Sequence, residues 1–166
     1  MPGSSQVTRA RSRAARRVRD ERGVALVEFV LILPLFALLL FGMLDFGRAF
    51  NYWIDETHLA NEGARWAVVN KNPGSSGTLQ EYIRDQATTP ELRNGGTASV
   101  PSPVQVCIEF PNGTSNVGDP VRVSVTATYR WLALIAQRTT ITQTTINGSA
   151  TMRLEAQPTN YGAGCA

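Results

Sequence analysis

The chain is poor in catalytic chemistry. Its 166 residues hold one histidine and two cysteines. No G-x-S-x-G elbow, Walker loop or H-E-x-x-H pair occurs, which removes the recognisable hydrolase, nucleotide-binding and zinc-protease constellations. Gly74-Ser75-Ser76-Gly77 is a linker, not a phosphate cradle. His58 stands beside Asp55 and Glu56 without a nucleophile pattern, and reads as a surface or packed residue. Two cysteines fall short of the four ligands of a zinc ribbon. No cofactor is expected.

Charge is also scarce, at 17% of residues, and it is segregated. Residues 1–22 carry seven arginines and two acids, a net of +5. Residues 24–44 carry one ionisable group, and residues 45–166 carry nine basic and ten acidic groups. The sequence pI near 9.2 therefore belongs mostly to the first 22 residues. A uniformly basic nucleic-acid-binding domain is excluded, and the apolar run argues against an ordinary cytosolic enzyme. The length suits one modest domain.

Val24 to Leu44 reads VALVEFVLILPLFALLLFGML. As a helix it spans about 31 Å at roughly 1.5 Å per residue, enough to cross the hydrocarbon core of a bilayer. The seven arginines precede the run and Arg48 alone follows closely. The positive-inside rule then sets the N-terminus in the cytoplasm and the remainder outside. The same arginines would also suit a nucleic-acid or anionic-lipid patch, but they abut the membrane, where the topology rule operates. The run is too long for a signal-peptide h-region and ends at no small-residue cleavage site. Two residues inside it are costly. Glu28 needs a partner or a purpose in hydrocarbon, and Pro34 removes a backbone donor.

At the junction, Arg22-Gly23-Val24-Ala25-Leu26-Val27-Glu28-Phe29, a basic leader ends in Gly and a Glu follows five residues later. This resembles the site at which prepilin peptidase cuts type IV pilin-like proteins, after the Gly. Cleavage would free an amine on Val24, one helical turn from Glu28 on the same face. An adjacent subunit, offset along a filament, would bring its own amine to that carboxylate. The resemblance continues through Leu33-Pro34, Asp45-Phe46-Gly47-Arg48-Ala49 and Asn61-Glu62-Gly63-Ala64-Arg65, and more loosely through Gly148-Ser149-Ala150-Thr151-Met152-Arg153-Leu154-Glu155. Together these residues are similar to the TadE-like family, pilin-like proteins of tight adherence (Tad, or Flp) pilus systems.

That resemblance implies a non-enzymatic minor pilin or pseudopilin contributing to pilus assembly and adhesion. Its implied partners are prepilin peptidase, other pilin-like subunits, the membrane assembly platform and the lipid bilayer. Gly23 and Val24 would flank the cut. Glu28 and Phe29 would serve subunit or peptidase recognition. The alternative is a permanently anchored, unprocessed extracytoplasmic binding domain.

The expected organisation is a basic leader over 1–23, a transmembrane helix over 24–44, a helical stem over 45–69 and an α+β head over 70–166. In the stem, Phe46, Phe50, Trp53, Thr57, Ala60, Ala64 and Ala67 recur at steps of three and four. Arg48, Asp55, Glu56, Glu62 and Arg65 lie off that stripe. The stripe suits either packing on the chain's own head or contact with neighbouring subunits. Phe50, Tyr52 and Trp53 would also suit an interfacial aromatic belt. Asp45 with Arg48, and Glu62 with Arg65, are spaced for weak i, i+3 pairs.

Thr78 and Glu81 form a capping box for a short helix. Pro90 to Pro103 reads as a loop. Period-2 alternation marks strands at 104–110, 121–130 and 150–156. Trp131 to Ala136 reads as a turn or short helix over the sheet edge. An antiparallel sheet of three or four strands packed on the long helix accounts for the pattern. Cys107 and Cys165 both lie on the outer side, where a disulfide is permitted; two free thiols are the other possibility.

Overall fold

The computed structural model describes residues 5–131 and 143–166. Helix α1 runs Ser5–Val68 and continues through Pro34. The chain divides into two compact units, residues 1–43 and 44–166. The expected stem and head both fall within the second. From Gly23 onward the first unit exposes almost every side chain.

The second unit is α+β. After α1 come α2 (Leu79–Asp85), α3 (Pro90–Asn94), β1 (Gln105–Glu109), β2 (Pro120–Arg130), β3 (Gln143–Arg153) and β4 (Gly164–Cys165). The strands form one antiparallel sheet in the order β3-β2-β1-β4. Alternation places Val106, Ile108, Val121, Val123, Val125 and Tyr129 in the core. There they meet Leu59, Ala60, Ala64 and Ala67 of α1, with Leu79 and Ile83 of α2. Polar residues take the opposite face of the sheet, as expected of an antiparallel sheet covered on one side.

α1 ends where its sequence stops favouring a helix. Asn70 adopts a left-handed conformation, φ 52°. The Asn70 and Lys71 amides donate to the carbonyls of Ala67 and Trp66, each at 3.0 Å. That is a Schellman closure with Asn at the left-handed position. The Thr78–Glu81 capping box forms as expected, both bonds at 3.2 Å.

The tail is then tied back onto this corner. Asn70 Oδ1 accepts from the Thr159 and Asn160 amides, and Tyr161 Oη donates to the Ala67 carbonyl at 2.7 Å. Burial of Tyr161 pushes its phenol up to about 12. Cys107 and Cys165 face each other across β1 and β4 and are joined by a disulfide. Closing a separation of 58 residues stabilises the unit by about 4 kcal/mol in the chain-entropy description.

Three expectations are corrected. The segment from Pro90 is not all loop: Pro90 opens α3 at its first position, where its missing N–H removes no bond. The last long strand is not 150–156. It starts at Gln143 because β2 pairs along its whole length, from Arg130 with Gln143 to Pro120 with Arg153. Leu154 leaves the ladder when its amide bonds to the Asp119 carbonyl at 2.9 Å. The reading of Trp131 to Ala136 reaches beyond the described residues; Trp131 itself is a turn residue.

The third correction concerns the stem stripe. Its second half holds, since Ala60, Ala64 and Ala67 are buried, but Phe46, Phe50 and Trp53 are exposed, while Asp45, Ala49, Tyr52, Asp55 and Glu56 are buried. The inward face is turned from the aromatic stripe by roughly 100°, one residue step of a helix. Closeness is the cause. A Cβ on Gly148 of β3 would lie 2.5 Å from the Glu56 carbonyl carbon and from the Thr57 nitrogen. One on Gly63 would lie 2.8 Å from Ile83 Cδ1 and 3.1 Å from Val123 Cγ1. From Glu56 onward backbone lies against backbone and the small residues Ala60, Gly63, Ala64 and Ala67 face the sheet, while Tyr52 packs its ring on Tyr129 at 5.7 Å.

Gly148→Ala is therefore expected to destabilise the full chain by about 3 kcal/mol, the upper range for forced overpacking. Thermal unfolding in detergent, followed by circular dichroism, measures it. An unchanged midpoint would contradict the contact.

Candidate functional site

The apolar run lies entirely on α1 and is uncovered within the chain. One 18-residue window reaches a mean hydropathy of 2.8, with none of it buried. Leu31 is 74% exposed and Met43 78%. An apolar surface this continuous demands lipid or other apolar helices around it. Gly23, Val24, Glu28 and Phe29 are all exposed on this stretch. Gly23 has open space around its Cα. Val24 and Glu28, four apart, share a helix face. Among the described residues nothing pairs with the Glu28 carboxylate.

The motif residues of the stem divide by face. Asp45 is buried, and Tyr129 Oη of β2 donates to its carboxylate at 2.5 Å and to its carbonyl at 3.2 Å. Burial, then the Asp45 carboxylate beside it, holds the Tyr129 phenol far above its ordinary range. Gly63 and Ala64 carry the close contact with the sheet and α2. These three are packing residues. Phe46, Gly47, Arg48 and Arg65 face outward. Glu62 is half-buried, with its carboxylate 3.8 Å from His58 Nε2, an i, i+4 neighbour rather than the Arg65 of the i, i+3 spacing. His58 is exposed, as expected.

Two adjacent carboxylates on α1 meet opposite fates. Asp55 accepts from the Thr89 amide at 3.0 Å, the Thr89 hydroxyl at 2.6 Å and the Thr88 amide at 3.4 Å. It thereby supplies the first turn of α3 with an acceptor from another helix. Glu56 is fully buried, and neither carboxylate oxygen has a hydrogen-bond partner. Burial, then the charge of Asp55, pushes it up to about 8. Sequence patterning set both acids on the wet face. The signal that places Glu56 inside is the row Ala49, Tyr52, Glu56, Leu59, Gly63, Ala67 at steps of three and four, which is too weakly apolar to stand out.

Among the described residues, no group of three His, Cys, Asp or Glu side chains could hold a metal ion. What the arrangement offers is surface: an uncovered apolar helix with one acid in it, followed by a stem clamped to its own sheet.

Comparison with known proteins agrees with the junction. The family model described as TadE-like protein matches residues 23–65. The match begins at Gly23, takes in the whole apolar run, and ends at Arg65 of the second stem motif. Searches of the curated proteins and of the solved structures found no match.

Glu56 generates a pH prediction. Its folded value lies above its unfolded one, so between roughly pH 4.5 and 8 the folded chain binds the extra proton. Stability is then fully present below that window and falls as pH rises through it, by up to about 1.4 kcal/mol per pH unit. Chemical denaturation at pH 5, 6.5 and 8 should show the decline. Glu56→Gln should flatten it, and an equal slope in both chains would refute the assignment.

Proposed function

We propose that this chain, whose residues 23–65 match the TadE-like family, is a minor pilin or pseudopilin of a Tad-type pilus. It enters the membrane with residues 1–23 in the cytoplasm and residues 45–166 outside. Prepilin peptidase cuts between Gly23 and Val24. The freed helix then leaves lipid for a bundle of pilin-like helices, drawn out by the assembly platform. The extracytoplasmic part meets other pilin-like subunits and contributes to adhesion. Its role is structural.

One observation carries this reading: Glu28 lies exposed, without a partner among the described residues, one turn from Val24, in an apolar run that the family match covers from end to end. A charge in that setting costs a few kcal/mol even on lenient insertion scales. A mature N-terminal amine from a neighbouring subunit would offset that cost. Arg22 precedes the cut and would leave with the leader, so the amine is the cation that processing itself creates. Phe29 beside Glu28 belongs to the same recognition segment.

Intact mass of the membrane form is the direct test. The expected mature chain begins at Val24, and Gly23→Leu should leave the leader attached. Retention of the leader in cells with an active peptidase would refute processing and favour a permanently anchored module. Glu28→Ala, scored separately for maturation and for fibre formation, is expected to impair fibres at least ten-fold. Normal fibres from that variant would remove the carboxylate from assembly.

A further inference from the structure

The stem displays an exposed aromatic cluster, bordered by the half-buried Trp131, which packs against the core and lies edge-on to Tyr129 at 5.1 Å. Phe46 is 63% exposed, Phe50 50%, Trp53 45% and Ile54 50%. The rings form a connected ladder. Phe46 and Phe50 have centroids 6.5 Å apart, and Phe50 and Trp53 5.6 Å. Trp131, at the end of β2, joins from another element, 6.5 Å from Phe46 and nearly parallel to it. Tyr129, two residues earlier, is bonded to Asp45. The end of β2 is thus fixed at the level of Asp45 and Phe46, within the second compact unit.

We propose that this cluster seats in the headgroup layer of the bilayer and holds the folded head on the membrane surface before assembly. The proposal rests on the membrane-anchor reading of the apolar run. Three observations select lipid as the occupant. The cluster begins at Phe46, two residues after the apolar run ends at Leu44. From Phe46 to Trp53 the helix rises about 10 Å, comparable with the roughly 5–8 Å of interface on each side of the hydrocarbon. Of the exposed side chains, Trp is enriched at bilayer boundaries, and Phe with Trp lines the lipid-facing side of helices that lie in the interface, whereas helix–helix contact within membranes favours small residues. The small residues of this stem, Ala60, Gly63, Ala64 and Ala67, are already buried against its own sheet.

Trp131 makes the seat a property of the fold and not only of the helix. A helix alone would present three rings on one stripe. Here the sheet contributes a fourth ring, which broadens the apolar surface sideways from the helix. Such a seat orients the head, and withdrawal from lipid would release it.

Tryptophan depth measurements test this on the full chain in phosphatidylcholine–phosphatidylglycerol vesicles. Three variants each keep one tryptophan, Trp53, Trp66 or Trp131, the others being replaced by Phe. Trp66 is the internal control, since it packs edge-on against Tyr82 at 5.1 Å with Lys71 over its ring. Lipids brominated near the headgroup should quench Trp53 and Trp131 at least two-fold and Trp66 little. Vesicle flotation after an alkaline wash reports the anchor independently. Flotation without quenching of Trp53 and Trp131 overturns the seat and leaves the anchor standing. Absence of flotation overturns both. Trp53 shielded from lipid bromine and from aqueous iodide alike would place a second copy on the cluster, which also overturns the proposal. Trp53 and Trp131 report from separate chains, so misfolding of one variant leaves the other to decide.

Discussion

The approach of helix α1 to strand β3 governs the head. Gly148 lets the strand backbone lie against the backbone of Glu56 and Thr57, and Gly63 lets the helix settle between Ile83 and Val123. With Ala60, Ala64 and Ala67 between them, the contact has almost no side-chain thickness. At that level the face of α1 turned to the sheet carries small residues, while Tyr52, one turn earlier, still packs its ring against Tyr129 of β2 at 5.7 Å. Phe46, Phe50 and Trp53 lie off this face and are exposed. Of the motif residues, Gly63 and Ala64 are buried at this contact, and Asp45 is buried where Tyr129 of β2 donates to it.

The same closeness traps Glu56. Its neighbour Asp55 escapes the cost of burial by accepting three hydrogen bonds from Thr88 and Thr89 at the start of α3. Glu56 has no such donors, so it is held in its protonated form across ordinary acidic and neutral pH. An unpaired buried acid is destabilising relative to an apolar residue of the same size. Against that cost stand the Schellman closure and tail bonds that fasten the end of the same helix at Asn70, and the disulfide that joins β1 to β4.

One helix thus serves two solvents. From Val24 to Met43 it offers mostly apolar side chains that only lipid or other apolar helices will cover. From Leu44 on it is built into a sheet. Glu28 and Glu56 are the acids out of place in the two halves, and they differ in kind. Glu28 is exposed on an uncovered face, where a group from outside the chain has access. Glu56 is sealed inside, where nothing from outside reaches it. Only the first is suited to recognition.

The apolar run and the alternation of β1 and β2 were legible without coordinates. Each rests on local composition or a short period that any solvent would sort in the same way. The Thr78–Glu81 box was legible because both partners lie within one turn. The face of the stem was legible only in its second half, at Ala60, Ala64 and Ala67. Aromatic rings outweigh alanines in any hydrophobic pattern, yet the distance between helix and sheet is fixed by Gly63 and Gly148, 85 residues apart in sequence. The seven residues that open β3 were missed because their pairing comes from β2, not from their own polar sequence. Composition therefore decided which parts of the chain avoid water, while the packing distance, a property of two distant glycines acting together, decided which side of the stem was left to meet it.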